Sequence, residues 1–146
     1  MGDVDRYLPL NRAYQWEEKL ADEVYLTQPM GGGELKTFTW AEALHEARKM
    51  AAYLGSLDLE PGSSIAILSK NCAWFLLSDL AIWMAGHRTV ALFPTVGPDT
   101  ISYVLEHSEA KLLFVGKLDS WETQEPGVPA GLPRVRYPLS PATDDP

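Results

Sequence analysis

Disulfide bonds within the chain are excluded by arithmetic, because its 146 residues include one cysteine, Cys72. That usage suits a reducing compartment and removes the class of small secreted domains stapled by cystine bridges. Basic charge is also scarce: 12 Lys and Arg stand against 20 Asp and Glu, a formal net charge of -8. The longest basic grouping is Arg48-Lys49, on a segment that also carries Glu42 and Glu46. An acidic chain without a basic cluster repels phosphate backbones and anionic headgroups, which argues against nucleic acid or membrane surfaces as partners. The N-terminus, Met1 to Arg6, has no basic region leading into an apolar run, so no secretory signal is read there. Arg6 stands where a myristoylation signal opening on Met1-Gly2 would need Ser or Thr. The very apolar stretch 72–85 is too short for a membrane span and carries Asp79 in its middle.

Recognisable catalytic motifs are missing as well. Gly31-Gly32-Gly33-Glu34-Leu35-Lys36-Thr37 has Leu35 where a Walker phosphate loop needs glycine before its lysine. His45-Glu46-Ala47-Arg48-Lys49 opens like a zinc-binding helix but places Lys49 at the second histidine position. His45, His87 and His107 are far apart, have no Cys/His partners, and read as surface or loop residues. The turn Ser69-Lys70-Asn71-Cys72-Ala73-Trp74 follows an apolar strand with no dinucleotide-binding glycines, no carboxylates for a receiver-type Mg²⁺ site, and no nucleophile-elbow context for Ser69. Cys72 lies at the start of a helix, where a thiolate can be activated, but its neighbours Trp74, Phe75 and Leu76 favour a buried thiol. No catalytic, cofactor-binding or metal-binding residue is therefore assigned.

What is present is regular alternation. Residues 11–22 read as an amphipathic helix through Ala13, Trp16, Leu20 and Ala21. Val24-Tyr25-Leu26-Thr27 and Leu35-Lys36-Thr37-Phe38-Thr39-Trp40 flank the glycine cluster and read as a β-hairpin. Thr39 and Glu42 have capping-box spacing, and Ala43, Ala47, Met50, Ala51 and Leu54 form the apolar stripe of the helix that follows. Pro61-Gly62 then forces a turn. Strands are expected at 64–68, 90–93 and 111–115. Helices are expected at 72–85, with Asn71 as N-cap and Gly86 as C′, and at 99–107, with Ile101, Tyr103, Val104 and Leu105 apolar. Trp74 and Trp83 are expected in the core. A βαβαβ series with short connections predicts an α/β fold: a parallel sheet flanked by helices and preceded by a hairpin. Residues 1–118 are read as the α/β unit. Residues 119–146 are read as a proline-punctuated extension with one short strand, Arg134-Val135-Arg136-Tyr137, ending inside a linker at Ala142 to Pro146.

In that order the motifs resemble the N-terminal region of the acyl-adenylating superfamily, which includes acyl-CoA synthetases, luciferases and peptide-synthetase adenylation domains. The resemblance rests on Thr37-Phe38-Thr39-Trp40 leading into a helix and on Leu59-Glu60-Pro61-Gly62-Ser63-Ser64-Ile65-Ala66-Ile67-Leu68-Ser69-Lys70-Asn71. Residues 74–86, Phe93-Pro94-Thr95 and 102–111 are similar to long-chain acyl-CoA ligases in particular, whereas His87-Arg88-Thr89 departs from the small or apolar residues usual there. The likeness is strongest over residues 35–118.

The resemblance implies a cytoplasmic parent enzyme, with peripheral membrane attachment left open. That parent joins a fatty acid to CoA with ATP and Mg²⁺ through an acyl-adenylate. It also implies that this chain is the scaffold portion, its partner being the remainder of the parent polypeptide. The family's phosphate loop, later acidic ribose motif and lid lysine have no counterpart in the sequence, so the chain alone is expected to be inactive. Two alternatives remain open: a stand-alone interaction or regulatory module built on this scaffold, and a fragment of another adenylating enzyme.

Overall fold

The computed structural model describes residues 4–141. The Met1-Gly2 reading and the linker-like ending lie outside the described residues. Helix α1 spans Pro9–Leu20, with proline in its first turn, where the missing N–H costs nothing. Strands β1 (Val24–Gly31) and β2 (Glu34–Thr39) pair antiparallel. Gly31, Gly32 and Gly33 all have positive φ at their junction, the backbone region that glycine enters without a Cβ clash. Helix α2 (Trp40–Ser56) begins with the expected capping box. The Glu42 N–H donates to Thr39 Oγ1 at 3.2 Å, and the Thr39 N–H donates to Glu42 Oε2 at 2.8 Å. Arg48 forms a bidentate pair with Glu17 of α1, at 2.7 and 2.5 Å. It joins two helices at the surface, and its net stabilisation is at most about 1 kcal/mol because both partners keep contact with water.

The main sheet contains β3 (Ser64–Leu68), β4 (Arg88–Leu92), β5 (Leu112–Val115) and β6 (Arg134–Arg136). Its order is β4-β3-β5-β6 and every neighbouring pair is parallel. Helix α3 (Ala73–Met84) connects β3 to β4, and α4 (Pro98–His107) connects β4 to β5. The pleat sorts the side chains. Ile65 and Ile67 of β3, with Leu112 and Phe114 of β5, pack beside Leu54 of α2 and Ile82 of α3. Ala66, Leu68, Leu113 and Val115 pack on the opposite face against Ile101 and Leu105 of α4. The two crossovers run in opposite directions on opposite faces, so they have the same hand, as right-twisted strands require. The expected parallel arrangement is what the structure contains. A third cluster joins α1, the hairpin, α2 and α3 around Ala13, Phe38, Leu44 and Leu77.

Four local readings need correction. Residue 93 is not in a strand: β4 ends at Leu92, and Phe93 is 78% exposed. Trp74 and Trp83 are only partly buried, because α1 and the hairpin cover the outer face of α3 incompletely. Tyr103 points outward and stacks on His107, 5.4 Å between ring centroids. Residues after Leu118 carry the expected short strand, but they also form the helical turns α5 (Trp121–Gln124) and Glu125–Gly127. Trp121, Val128 and Tyr137 enter the core. Proline punctuation hid the burial because the segment packs through isolated anchors, without a periodic stripe.

Asp79 of α3 is half-buried and accepts a 2.5 Å hydrogen bond from Thr89 Oγ1. Burial pushes its carboxyl up from the usual range, and the Thr89 hydroxyl only partly opposes this. A raised folded-state value means the folded chain holds the proton more tightly than the unfolded chain. The associated stability is complete below the unfolded value of about 3.9 and is lost as pH rises through the folded value. Asp79→Asn should therefore melt higher than the parent chain at neutral pH and the same in acid. Melting curves across pH check this, and a neutral-pH penalty for Asn would refute it.

Candidate functional site: the carboxyl ends of the parallel strands

In an open α/β sheet, ligands sit at the carboxyl ends of the strands, where the connections diverge to either side. Here that point lies between β3 and β5, because β3 leads to one neighbour and β4 returns across it to the other. The residues meeting there are Ser69, Lys70 and Asn71 after β3, Gly116 and Lys117 after β5, and Tyr137 after β6. Sequence reading singled out the turn from Ser69 but gave Gly116 and Tyr137 no role. Neither stands in a motif, and only the sheet order brings them to Ser69.

The crevice is filled by the chain itself. The Gly116 N–H donates to Leu68 O at 2.9 Å, and the Lys70 N–H donates to Lys117 O at 2.8 Å. Ser69 Oγ accepts from the Lys117 N–H at 3.1 Å and donates to Lys70 O at 2.6 Å. A Cβ on Gly116 would lie 2.0 Å from Ser69 Oγ and 2.3 Å from Ser69 Cβ. Lys70, one of the cationic residues after the strand ends, forms an ion pair with Asp119. A phosphate cradle needs open backbone N–H groups and room for glycine-lined backbone to approach it. The Lys70, Gly116 and Lys117 N–H groups are already committed to acceptors within the chain. The described residues here do not fit a nucleotide, and no chemical step is derived through one.

Beside this filled crevice lies a cleft of about 410 Å³ between the hairpin and the start of α3. Leu26, Gln28 and Pro29 form one wall, and Asn71, Cys72 and Phe75 form the other. Cys72 is the N-cap residue of α3 and makes no side-chain cap; its Sγ lies 3.7 Å from Ser69 Oγ. The expected cap, Asn71, lies one residue before the N-cap position, and the first helical N–H finds its acceptor in a residue distant in sequence. Gln28 of β1, 6% exposed, accepts the Ala73 N–H on Oε1 at 2.8 Å and donates from Nε2 to Pro29 O at 2.8 Å. The hairpin is thereby fastened to α3. Gln28→Ala would leave the Ala73 N–H buried without an acceptor and should cost about 1–2 kcal/mol. Urea denaturation measures that loss, and a change within about 0.3 kcal/mol would show that water replaces the cap.

The His residues do not converge. His45 and His107 are exposed, and His87 lies in the loop between α3 and β4, within the surface-or-loop reading, although it is buried there. Among the described residues no group of three or more His, Cys, Asp or Glu side chains is placed to hold a metal ion. No helix of the described residues is long and apolar enough to cross a membrane.

Comparison with known proteins gives this geometry a context. The long-chain-fatty-acid–CoA ligase FadD15 of Mycobacterium bovis is 32% identical over 108 residues, 74% of this chain and 18% of its own length. The 2-succinylbenzoate–CoA ligase of Bacillus licheniformis is 37% identical over 79 residues, 54% of this chain and 16% of its own. Fatty acyl-CoA synthetase A of Dictyostelium discoideum is 35% identical over 82 residues, 56% of this chain and 12% of its own. The chain thus spans less than a fifth of the length of these curated relatives. Among solved structures, a benzoate CoA ligase from Burkholderia xenovorans superposes with a TM-score of 0.75 at 20% identity, over 90% of this chain and 26% of that one. The nonribosomal peptide synthetase FmoA3 superposes at 0.71 and 16% identity, over 87% of this chain and 13% of that one. A family model described as AMP-binding enzyme matches residues 13–141, so the chain, with its parallel sheet and leading hairpin, belongs to the AMP-binding family of acyl-adenylating enzymes.

Proposed function

We propose that this chain is the N-terminal scaffold of an AMP-forming long-chain fatty acid–CoA ligase and carries no catalytic residue of its own. The observation that carries the reading is the FadD15 match, which extends over 74% of this chain, more than the 54% matched by the 2-succinylbenzoate ligase. The parent would use ATP, Mg²⁺ and CoA, in the cytoplasm or at a membrane surface. Adenylation requires a carboxylate held in line with the α-phosphate and the phosphate charge neutralised. A filled switch-point crevice and a net charge of -8 support placing those tasks in the remainder of the polypeptide, the partner of this piece. The 1–118 unit supplies the βαβαβ scaffold in this reading, and within the 119–146 extension residues 134–136 add its edge strand.

The relatives also include ligases of aromatic and branched acids, such as the Petunia hybrida trans-cinnamate ligase, 32% identical over 78 residues. Substrate class is therefore tested on the protein encoded by the complete gene. It should form acyl-CoA from palmitate at a kcat/KM at least about tenfold above that for cinnamate or 2-succinylbenzoate. The reverse preference would place it with another adenylating class. The 146-residue chain alone, assayed for fatty-acid-dependent pyrophosphate exchange with ATP and Mg²⁺, should give only background. Exchange that survives repurification would reveal a catalytic site within it, and a stop codon directly after codon 146 would favour the stand-alone module.

A further inference from the structure

A second cleft, of about 290 Å³, lies away from the strand ends, between α1, the hairpin and α3. Trp16 of α1, Tyr25 of β1, Trp40 at the start of α2 and Trp83 of α3 line it. Asp79 lines it too, four residues before Trp83 and so on the same face of α3. Tyr25 stacks on Trp40 at 3.8 Å between ring centroids, and Trp16 stands 6.4 Å from Trp40 at a tilt of 31°. Indole and phenol faces carry negative potential, and Tyr25 and Trp40 each spend one face on the other. The Trp16 ring already draws cations from its own helix: Arg12 Cζ lies 5.5 Å and Lys19 Nζ 5.9 Å from its centroid. Among the described residues Asp79 takes part in no ion pair; its one hydrogen bond comes from the neutral Thr89 hydroxyl. A half-buried carboxylate that has lost water without gaining a counter-charge is relieved by a cation placed in the cleft.

We propose that this cleft binds a small organic cation, an alkylated ammonium group, with the indoles of Trp16, Trp40 and Trp83 around it and Asp79 as its counter-charge. The donor set selects that chemistry. One carboxylate among aromatic rings cannot supply the six or more oxygens that a hard metal ion takes, whereas an alkylammonium needs weak contacts to π-faces and one anion. The volume sits at the lower end for ligand pockets, so the cation is the size of a headgroup. Acyl substrates are anions that Asp79 repels, so this site is separate from the proposed ligase reaction. Arg12, which also lines the cleft, competes for the same potential and weakens binding, and Arg12→Ala removes that competition.

The test uses the full 146-residue chain, choline as the probe, and its uncharged isostere 3,3-dimethylbutan-1-ol as the control. Tryptophan fluorescence and the indole N–H resonances should shift saturably with choline, at millimolar concentration, and the isostere should bind at least about tenfold more weakly. Asp79→Asn should weaken choline about fivefold or more while raising the melting temperature at neutral pH, which separates lost binding from lost fold. Arg12→Ala should tighten it. Trp83→Leu, judged by the same resonances of Trp16 and Trp40, should also weaken it. Equal binding of choline and its isostere would reduce the cleft to an apolar gap. Unchanged affinity in Asp79→Asn, or no saturable shift below about 100 mM choline, would overturn the assignment.

Discussion

A chain ending at Leu118 should lose cooperative folding, although the composition change at that point marks a natural place to cut. Residues beyond it place Trp121 (4% exposed) and Val128 (6%) against Ile101, Leu105, Leu113 and Val115, and Tyr137 (4%) against Phe114 on the opposite face. The backbone is joined as well. Leu113 N–H donates to Pro133 O, and Tyr137 N–H donates to Val115 O, both at 2.9 Å. Gln124, 2% exposed, donates to Pro94 O and Val96 O at 2.9 Å each, holding the loop between β4 and α4. Loss of a core tryptophan alone costs about 3–5 kcal/mol, a large share of the 5–15 kcal/mol that stabilises an average domain. Removing the segment also bares the β5 edge and two apolar patches, which favours association. Thermal melts of chains ending at Leu118 and at Pro141, with hydrophobic-dye binding, measure the difference. Matching sigmoidal transitions would mean that residues 119–141 are an appendage to an independently stable unit.

Gly127→Ala should be the most damaging single methyl group added to the chain, at about 3 kcal/mol or more. A Cβ there would lie 2.1 Å from Pro98 O and 2.6 Å from Pro98 Cα. Pro98 opens α4, so the obstruction is backbone at the start of a helix and cannot rotate aside. Either α4 shifts off Leu113 and Val115, or the 125–127 turn lifts and withdraws Trp121. Gly55 is the control. It lies inside α2 with nothing within 4 Å of its Cβ position, so Gly55→Ala should stabilise by about 0.5–1 kcal/mol. Chemical denaturation of both variants gives the comparison. A Gly127→Ala loss below about 1 kcal/mol would show that the turn moves freely on α4.

The elements most legible in the sequence were those held by local rules. Thr39 and Glu42 bond each other across one turn, so their spacing alone marked the start of α2. Gly86, with φ of 77°, stood where α3 must leave the helical path. The short apolar runs read as strands of a parallel sheet, and β3 and β5 form there, buried along their whole length. Legibility fell wherever the deciding partner was distant. Asn71 has the right chemistry to cap α3 but lies one residue before the N-cap position, and the Ala73 N–H finds its acceptor in Gln28, 45 residues away. Trp74 and Trp83 belong to an apolar helix, yet their exposure depends on how far α1 and the hairpin extend over it. Trp121 and Tyr137 lie among prolines with no periodicity to reveal them.

By itself the sequence determined the parallel α/β class, the order of its elements, the family resemblance and the lack of a phosphate loop. These follow from periodicity, caps and glycine placement, which act over a few residues of chain. Only the tertiary structure decided that Gly116 and Ser69 fill the switch-point crevice, that the proline-rich extension closes the sheet, and that Asp79 lines one cleft with the indoles of Trp16, Trp40 and Trp83. Those outcomes depend on which surfaces meet once the chain crosses the sheet twice, and contact between distant segments leaves no period in a linear sequence.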